Sequence, residues 1–249
     1  MTLKKRFLGG LSKQAKYVVL LDPDKLDEKS APLIAAQCTE AKVDALFVGG
    51  STGDPARFEK ITRLIRQNSP LPLILFPGSA EQIVPDADGV LFMSLLSGRN
   101  PRFLIEEQLK GVPAIRQFNL PTLAMGYLLV ESDKPTAVQQ VSKTLPLRRD
   151  DIEAAVNHAL AAQYLGMALI YLEAGSGATQ TVPEEMIRAV KKALSIPLIV
   201  GGGIRTPEEA AKKVKAGADI IVTGNVLEKS GSPEMMARFA DAVHGAKKI

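Results

Sequence analysis

The chain has 249 residues, of which 46% are hydrophobic and 23% charged; this balance excludes disordered and collagen-like classes. The single cysteine, Cys38, excludes an internal disulfide bond, and two histidines, His158 and His244, are too few for a Cys/His metal cluster. The formal net charge of +4 favours anionic ligands, whereas few aromatic residues and no dense Lys/Arg stripe argue against nucleic acid as a partner.

The N-terminal segment MTLKKRFLGG is basic but lacks the apolar core of a signal peptide. Its charges, Lys4, Lys5 and Arg6, are expected to be solvated. No stretch of the chain is apolar enough over its length to predict a membrane-spanning helix. These features predict a soluble, cytoplasmic protein.

Short runs that are apolar at successive positions recur along the chain, each closed by Gly, Pro, Asp or Ser, and such runs are typical of strands buried on both faces. They are YVVLLD from Tyr17, ALFVGG from Ala45, PLILFPG from Pro72, GVLFMS from Gly89, PTLAMG from Pro121, ALIYLEAG from Ala168, PLIVGGG from Pro197 and DIIVTGN from Asp219. Amphipathic stretches between them predict helices, most clearly from Glu184 and from Pro207, the latter with Thr206 as N-cap and Gly217 as its stop. The alternation predicts a single-domain (β/α)8 TIM barrel over residues 1–249; a doubly wound sheet fits less well.

Two intervals depart from the regular alternation. Only FPGSAEQIVPDAD separates the third and fourth strands, which is too short for a normal crossover helix, so the third helix is expected to be vestigial or replaced by an extended segment. A long loop, VESDKPTAVQQVSKTLPLRRDD, follows the fifth strand and precedes a helix from Ile152. Its length is typical of a lid or a subunit contact.

Glycine clusters close the seventh and eighth strands, where TIM barrels often bind phosphate. Gly201, Gly202 and Gly203, and then Gly224 before Asn225, would let backbone N–H groups approach an anion, and a following helix N-terminus would add its dipole. The alternative is that these glycines only make tight turns. The pattern favours a phosphate-bearing ligand.

The end of the sixth strand, YLEAGSGA, places a carboxylate among further glycines. Because Glu173 would repel a phosphate, it is expected to act as a base or to accept a hydrogen bond from a hydroxyl; capping a turn or pairing with a basic residue is the alternative. Tyr171 is expected on the opposite strand face or at the rim, in a packing or hydrogen-bonding role.

Asp22 ends the first strand in LLDPDK, beside the second-strand end that carries Ser51 and Thr52. One carboxylate and a hydroxyl there could hold Mg²⁺, which often takes few protein oxygens and completes its shell with water and substrate phosphates. The alternative is that Asp22 only starts a turn. Cys38 is expected to be buried on a helix, and His158 and His244 are expected to be structural or surface residues on helices, away from the strand ends.

LLDPDK, ALFVGGST, LFMSLLSGRNPRFLIEEQ, YLEAGSGA, PLIVGGGIRTPEEA and IIVTGNVLE together resemble the geranylgeranylglyceryl phosphate synthase family, which includes bacterial heptaprenylglyceryl phosphate synthases. The resemblance spans nearly the whole chain and implies a modified barrel that lacks the third helix. The implied reaction is Mg²⁺-dependent transfer of a prenyl group from its diphosphate to the 3-hydroxyl of sn-glycerol 1-phosphate.

The resemblance also implies roles for individual residues: Mg²⁺ at Asp22 and Ser51, and Glu173 as the catalytic base. It also implies that residues at the ends of the sixth, seventh and eighth strands bind glycerol 1-phosphate. These residues are Tyr171, Leu172, Glu173, Ala174, Gly175, Ser176, Gly177, Gly202, Gly203, Gly224 and Asn225. Apolar residues of the fourth strand and the open region beside the missing helix are candidates for a prenyl groove, or are simply core.

The smaller heptaprenyl branch carries a lysine two residues before the strand-1 aspartate, where this chain has Leu20. That difference and the long loop after the fifth strand favour the larger archaeal-like branch and a geranylgeranyl donor. A homo-oligomer, dimer or hexamer, is expected, with transient membrane-surface contact during product release. The alternatives are another barrel enzyme acting on a sugar phosphate, which would need a second acid/base or a lysine at a strand end, and a non-catalytic phosphate-binding barrel.

Overall fold

The computed structural model describes residues 2–50, 54–224 and 232–247. Its parallel strands close into a barrel in sequence order, with the eighth strand paired to the first, which confirms the predicted TIM barrel. The strands are β1 Lys16–Leu21, β2 Ala45–Val48, β3 Leu73–Leu75, β4 Gly89–Leu95, β5 Thr122–Leu129, β6 Leu169–Glu173, β7 Leu198–Gly201 and β8 Ile220–Thr223. The helices are α1 Leu3–Leu8, α2 Ser30–Glu40, α3 Pro55–Gln67, α4 Glu107–Gln117, α5 Ala137–Ser142, α6 Ile152–Tyr164, α7 Glu184–Ala193, α8 Pro207–Lys215 and α9 Pro233–Gly245.

Alternation along the strands divides the core into two layers. One layer fills the barrel interior and includes Phe47, Leu91 and Tyr171. The other lies between the strands and the surrounding helices and includes Leu172 and Val200. Because both faces of each strand are buried, the strands read as continuous apolar runs.

The boundaries of α8 follow the predicted signals. The Thr206 side chain accepts a hydrogen bond from the Glu209 N–H, and the Glu209 carboxylate accepts from the Thr206 N–H, which forms a capping box before Pro207. Gly217, with φ of +118°, ends the helix as expected.

The prediction that the crossover helix between the third and fourth strands is vestigial is confirmed; this is not α3, which precedes β3. A single 3-10 turn, Ala80–Gln82, lies between β3 and β4. A π-helical turn, Arg102–Glu106, leads directly into α4. The Leu104 carbonyl, in this widened turn, accepts a hydrogen bond of 2.7 Å from the Ser94 hydroxyl of β4.

The long interval between β5 and β6 contains α5, and Val138 and Val141 of this helix line the cavity described below. Asn100, after β4, donates a 2.8 Å hydrogen bond to the Ser142 carbonyl. The interval therefore covers part of the carboxyl-terminal face of the barrel, as a lid segment would.

The amino-terminal face is closed by α1, whose role sequence analysis missed. Leu3 and Phe7 are buried with the interior layer. The expectation that Arg6 is merely solvated was wrong, because its guanidinium bonds to Asp88 at 3.0 Å and to the Pro70 carbonyl at 2.7 Å. Within the described residues, no helix is long and apolar enough to cross a membrane.

Candidate active site

A cavity of about 440 Å³ opens at the carboxyl-terminal face of the barrel. Its polar part is lined by the ends of β1, β6, β7 and β8, and its apolar part runs along β4 toward α4. The polar lining includes Asp22, Glu173, Ser176, Gly177, Gly202, Gly203, Arg205 and Gly224. One continuous space thus joins the predicted phosphate site to an apolar groove.

Glu173 and Tyr171 lie on the same face of β6, which corrects the expectation that they face opposite ways. Residues two apart along a strand share a face, and both side chains point into the barrel mouth, where they line the cavity. The Tyr171 hydroxyl donates a hydrogen bond to the Glu173 carboxylate. The two-residue period of a β-strand predicts this shared face.

The Glu173 carboxylate is held rigidly at the site. It is only 6% exposed, and its Oε1 accepts a 2.6 Å hydrogen bond from the Gly175 N–H. Burial raises the pKa of Glu173, against the opposing effect of the hydrogen bonds from Tyr171 and Gly175. A positioned carboxylate with a raised pKa suits a general base near neutral pH.

The glycines that close β7 leave room for this carboxylate and its partner. Gly202 and Gly203 have φ of +83° and +73°. A β-carbon on Gly202 would collide with the Glu173 carboxylate, and one on Gly201 would collide with the Tyr171 hydroxyl. Glycine is needed here for close approach as well as for backbone conformation.

Three glycines that line the polar end have backbone N–H groups without a partner among the described residues. Among the described residues, those of Gly177, Gly202 and Gly203 donate to no other protein group. The Arg205 guanidinium borders this cradle and donates 3.0 Å to the Ala178 carbonyl. An anion would find N–H donors and a nearby cation here.

The N-terminus of α8 was expected to help bind an anion, but its first N–H groups are already hydrogen-bonded within the protein. The Arg205 and Thr206 N–H groups donate to Glu209 at 2.8 and 3.2 Å, within the capping box. These donors are occupied by the protein itself. After β7, the glycine loops therefore remain the candidates for binding an anion through N–H groups, whereas the Arg205 and Thr206 N–H groups before α8 are not free to do so.

Asp22 lines the cavity at the end of β1, as predicted for a metal ligand. Its carboxylate accepts from the Asp24 N–H at 3.1 Å and lies 3.5 Å from the Lys25 ammonium. Ser51, the second predicted ligand, lies outside the described residues. In the described part of the chain, no three His, Cys, Asp or Glu side chains cluster to hold a metal. Asp22 is the one described carboxylate at this strand end that lines the cavity, and it fits Mg²⁺ only where substrate oxygens and water complete the coordination shell.

The apolar part of the cavity begins at a group of aromatic rings. Phe76 lies 6.0 Å from Tyr127 and 5.7 Å from Tyr171, measured between ring centroids. The groove continues past Phe92 and Phe103 to Gly111 of α4. It occupies the region beside the absent crossover helix between β3 and β4, where the sequence left open whether the apolar residues form a groove or only core.

The remaining predicted substrate residues have different positions relative to the cavity. Gly224 lines the cavity, whereas Asn225 lies outside the described residues. Leu172 and Ala174 turn their side chains outward into the layer beneath the helices, and Gly175 supports Glu173 through its N–H. Sequence analysis missed Arg205, although it is the polar residue immediately after the predicted glycine cluster and its isoleucine.

Comparison with known proteins gives one consistent result. The sequence profile of the PcrB family matches residues 11–243. The chain is 47% identical to geranylgeranylglyceryl phosphate synthase of Pyrococcus furiosus over 90% of this chain and 89% of that protein. It is 40% identical to the Chitinophaga pinensis protein of the same name over 94% and 92%. The crystal structure of (S)-3-O-geranylgeranylglyceryl phosphate synthase from Thermoplasma acidophilum, in complex with its substrate sn-glycerol-1-phosphate, superimposes with a TM-score of 0.94 at 36% identity, covering 98% of this chain and 99% of that one.

Proposed function

This chain belongs to the PcrB family, and we propose that it is the prenyltransferase that joins a geranylgeranyl group to the 3-hydroxyl of sn-glycerol 1-phosphate. The observation that carries the proposal is the single cavity, which combines a glycine-lined anion cradle, a buried carboxylate and an apolar groove. Each part matches one part of the two substrates. The names of the similar proteins point to the same reaction.

The polar end suits glycerol phosphate. N–H groups of the glycine loops would hold the phosphate, and the Glu173 carboxylate would accept a hydrogen bond from the glycerol 3-hydroxyl. Fixing the phosphate holds that hydroxyl toward the apolar groove, which replaces a bimolecular encounter by an oriented one.

The transfer requires one proton acceptor. The glycerol oxygen forms a bond to the first carbon of the prenyl chain while the bond from that carbon to the diphosphate breaks, and the diphosphate leaves with the electron pair. Glu173 takes the hydroxyl proton, since its carboxylate is already aligned by Gly175 and Tyr171.

The diphosphate would lie near Asp22, where the end of β1 borders the cavity. Mg²⁺ bound by Asp22, with Ser51 as the proposed second ligand, would neutralise the charge of the leaving diphosphate. The apolar groove along β4 and α4 would hold the prenyl tail. A homo-oligomer, and transient membrane contact during product release, also remain predictions.

A sugar-phosphate isomerase or aldolase is the competing barrel function. No strand in the described structure ends in a lysine, which such an aldolase would need for a Schiff base. A small sugar phosphate would also leave the long apolar groove unfilled. A non-catalytic phosphate-binding barrel would not need the buried Glu173.

The test is an extraction assay with radiolabelled sn-glycerol 1-phosphate and geranylgeranyl diphosphate, with and without Mg²⁺. We expect label in the organic phase only when both substrates and Mg²⁺ are present. The enantiomer, sn-glycerol 3-phosphate, is the matched control. Label that stays in the aqueous phase with every donor length would overturn the proposal, whereas transfer from another donor only would overturn the geranylgeranyl assignment.

A further inference from the structure

Gln82 lies behind the cavity wall in the 3-10 turn that replaces the third helix. The whole residue is only 4% exposed, so its side-chain amide is almost completely removed from solvent. The amide Nε2 donates to the Gly50 carbonyl at 3.1 Å, and Oε1 accepts from the Gly78 N–H at 2.8 Å. One side chain therefore bridges the loops that follow β2 and β3.

Both bridged loops border the end of the cavity assigned to the donor diphosphate. Gly50 and Gly78 line the cavity, and Gly50 directly precedes Ser51. The neighbouring Gly49 N–H donates 3.1 Å to the Leu21 carbonyl, which ties the same loop to the strand end that carries Asp22. The position of the Gly50 backbone is thus linked to the strand end that carries Asp22, the proposed Mg²⁺ ligand that the structure describes.

The turn that carries Gln82 is itself fixed to α4. The Ala80 N–H donates 3.1 Å to the Glu107 carboxylate, which also pairs with Arg102 at 2.8 Å and Lys110 at 3.3 Å. Ile83, at the end of the turn, packs against Gly111 of α4. Gln82 therefore has a rigid support from which to hold the two loops.

We propose that Gln82 is a positioning residue that sets the spacing of the β2 and β3 loops for the donor diphosphate and Mg²⁺. This inference rests on the proposed function. The anion cradle for glycerol phosphate is built from β6, β7 and β8, whereas the Gly50 carbonyl and the Gly78 N–H that Gln82 binds follow β2 and β3, on another part of the barrel rim. The effect of Gln82 is therefore selective for one substrate.

The test replaces Gln82 by methionine, which keeps the size of the side chain and removes both hydrogen bonds. We expect the KM for geranylgeranyl diphosphate and the half-activating Mg²⁺ concentration to rise about tenfold, the factor that corresponds to losing roughly one buried hydrogen bond. The KM for glycerol 1-phosphate should change less than about threefold. Gln163→Met is the matched control, because Gln163 accepts from the Ser195 N–H at 2.8 Å, away from the cavity, and should leave all three constants unchanged.

Binding of magnesium pyrophosphate, measured by calorimetry, tests the same inference without turnover. We expect Gln82→Met to weaken this binding by a similar factor. Equal effects on both substrates, or wild-type values for donor, Mg²⁺ and pyrophosphate, would overturn the positioning role.

If wild type shows no turnover but Gln82→Met still weakens pyrophosphate binding, the proposed function fails and the positioning role stands. If neither protein binds pyrophosphate, the positioning role is overturned. Should Gln82→Met not fold, Gln82→Asn, which keeps the amide on a shorter arm, takes its place with the same expected result.

Discussion

Gly202 and Glu173 are in direct steric contact: the space that a β-carbon on Gly202 would need is occupied by Oε1 of the carboxylate. The same β-carbon would lie 2.6 Å from the Gly175 nitrogen, which is itself hydrogen-bonded to that oxygen. The loop proposed to bind phosphate therefore also forms the wall that holds the proposed base. Acceptor binding and proton transfer depend on one local packing arrangement.

The first prediction compares two glycines with the same backbone angle. Gly202 and Gly166 both have φ of +83°, but a β-carbon on Gly166 would meet nothing within 4 Å. Gly166→Ala should cost about 1–2 kcal/mol of folding free energy through backbone strain alone. Gly202→Ala should cost more, because its β-carbon also collides with the Glu173 carboxylate and the Gly175 nitrogen. Only Gly202→Ala should also lower kcat/KM, by more than about tenfold, because it displaces Glu173. Thermal melts and steady-state kinetics measure the two effects, and an active Gly202→Ala variant would contradict the shared packing.

The second prediction concerns the base. Glu173→Gln should lower kcat by about 10²–10⁴-fold, the usual contribution of a general base. The KM for glycerol 1-phosphate should change little, since the glycine loops and not Glu173 bind the phosphate. Glu185→Gln, an exposed position on α7, is the control for the loss of a carboxylate. A kcat within about threefold of wild type would reject the base role.

The third prediction concerns the raised pKa of Glu173, which burial causes. It compares the free energy of unfolding of wild type and Glu173→Gln across pH. Because the folded-state pKa is higher than that of the unfolded chain, the protonated carboxyl favours folding, and this stability is complete below the ordinary value of 4.5. It is lost as the pH rises through the raised value. Glu173→Gln should therefore be more stable than wild type at neutral pH, and the difference should shrink toward acid pH. Wild-type kcat/KM should fall as the pH is lowered through the same range, because the base becomes protonated. Chemical denaturation across pH measures the first effect; a variant less stable than wild type at neutral pH would argue against it.

The fold was predictable because each buried strand is a continuous apolar run and each site glycine follows one directly. Glu173 and Asp22 were found for the same reason, since a strand end places its next polar residue at the barrel mouth. Gln82 could not be found this way, because its partners are backbone groups, one in the loop after β2 and one in its own irregular loop after β3, and irregular turns have no periodicity. The helix α1 was missed because six residues are too short to show a 3.6-residue pattern among basic side chains.

The fourth prediction concerns Mg²⁺ and its protein ligand. Excess chelator should stop turnover while the thermal unfolding midpoint stays unchanged, because Asp22 faces the cavity rather than the core. Asp22→Asn keeps an acceptor for the Asp24 N–H but loses the charge, so the half-activating Mg²⁺ concentration should rise about tenfold or more. Asp27→Asn is the control, because the Asp27 carboxylate accepts from the Ser30 N–H at 2.7 Å outside the cavity, and it should not change the half-activating Mg²⁺ concentration. Full activity in excess chelator would remove Mg²⁺ from the mechanism.

The last prediction tests the groove at Gly111, which is buried on α4 and lines the apolar part of the cavity. A β-carbon there would lie 2.6 Å from Cδ1 of Ile83, so no side chain fits without displacing the wall opposite. Gly111→Phe should fill the groove and lower kcat/KM for geranylgeranyl diphosphate by about tenfold or more, while the shorter geranyl diphosphate, which does not extend as far, should be affected less. Leu109→Phe on the same helix, at a position 62% exposed, adds an aromatic ring outside the groove and should leave the preference between the two donors unchanged. Competition between the two donors for a limiting amount of enzyme measures the preference directly. If both donors lost activity equally in Gly111→Phe, the prenyl tail would have to follow another path from the rings of Phe76 and Tyr127.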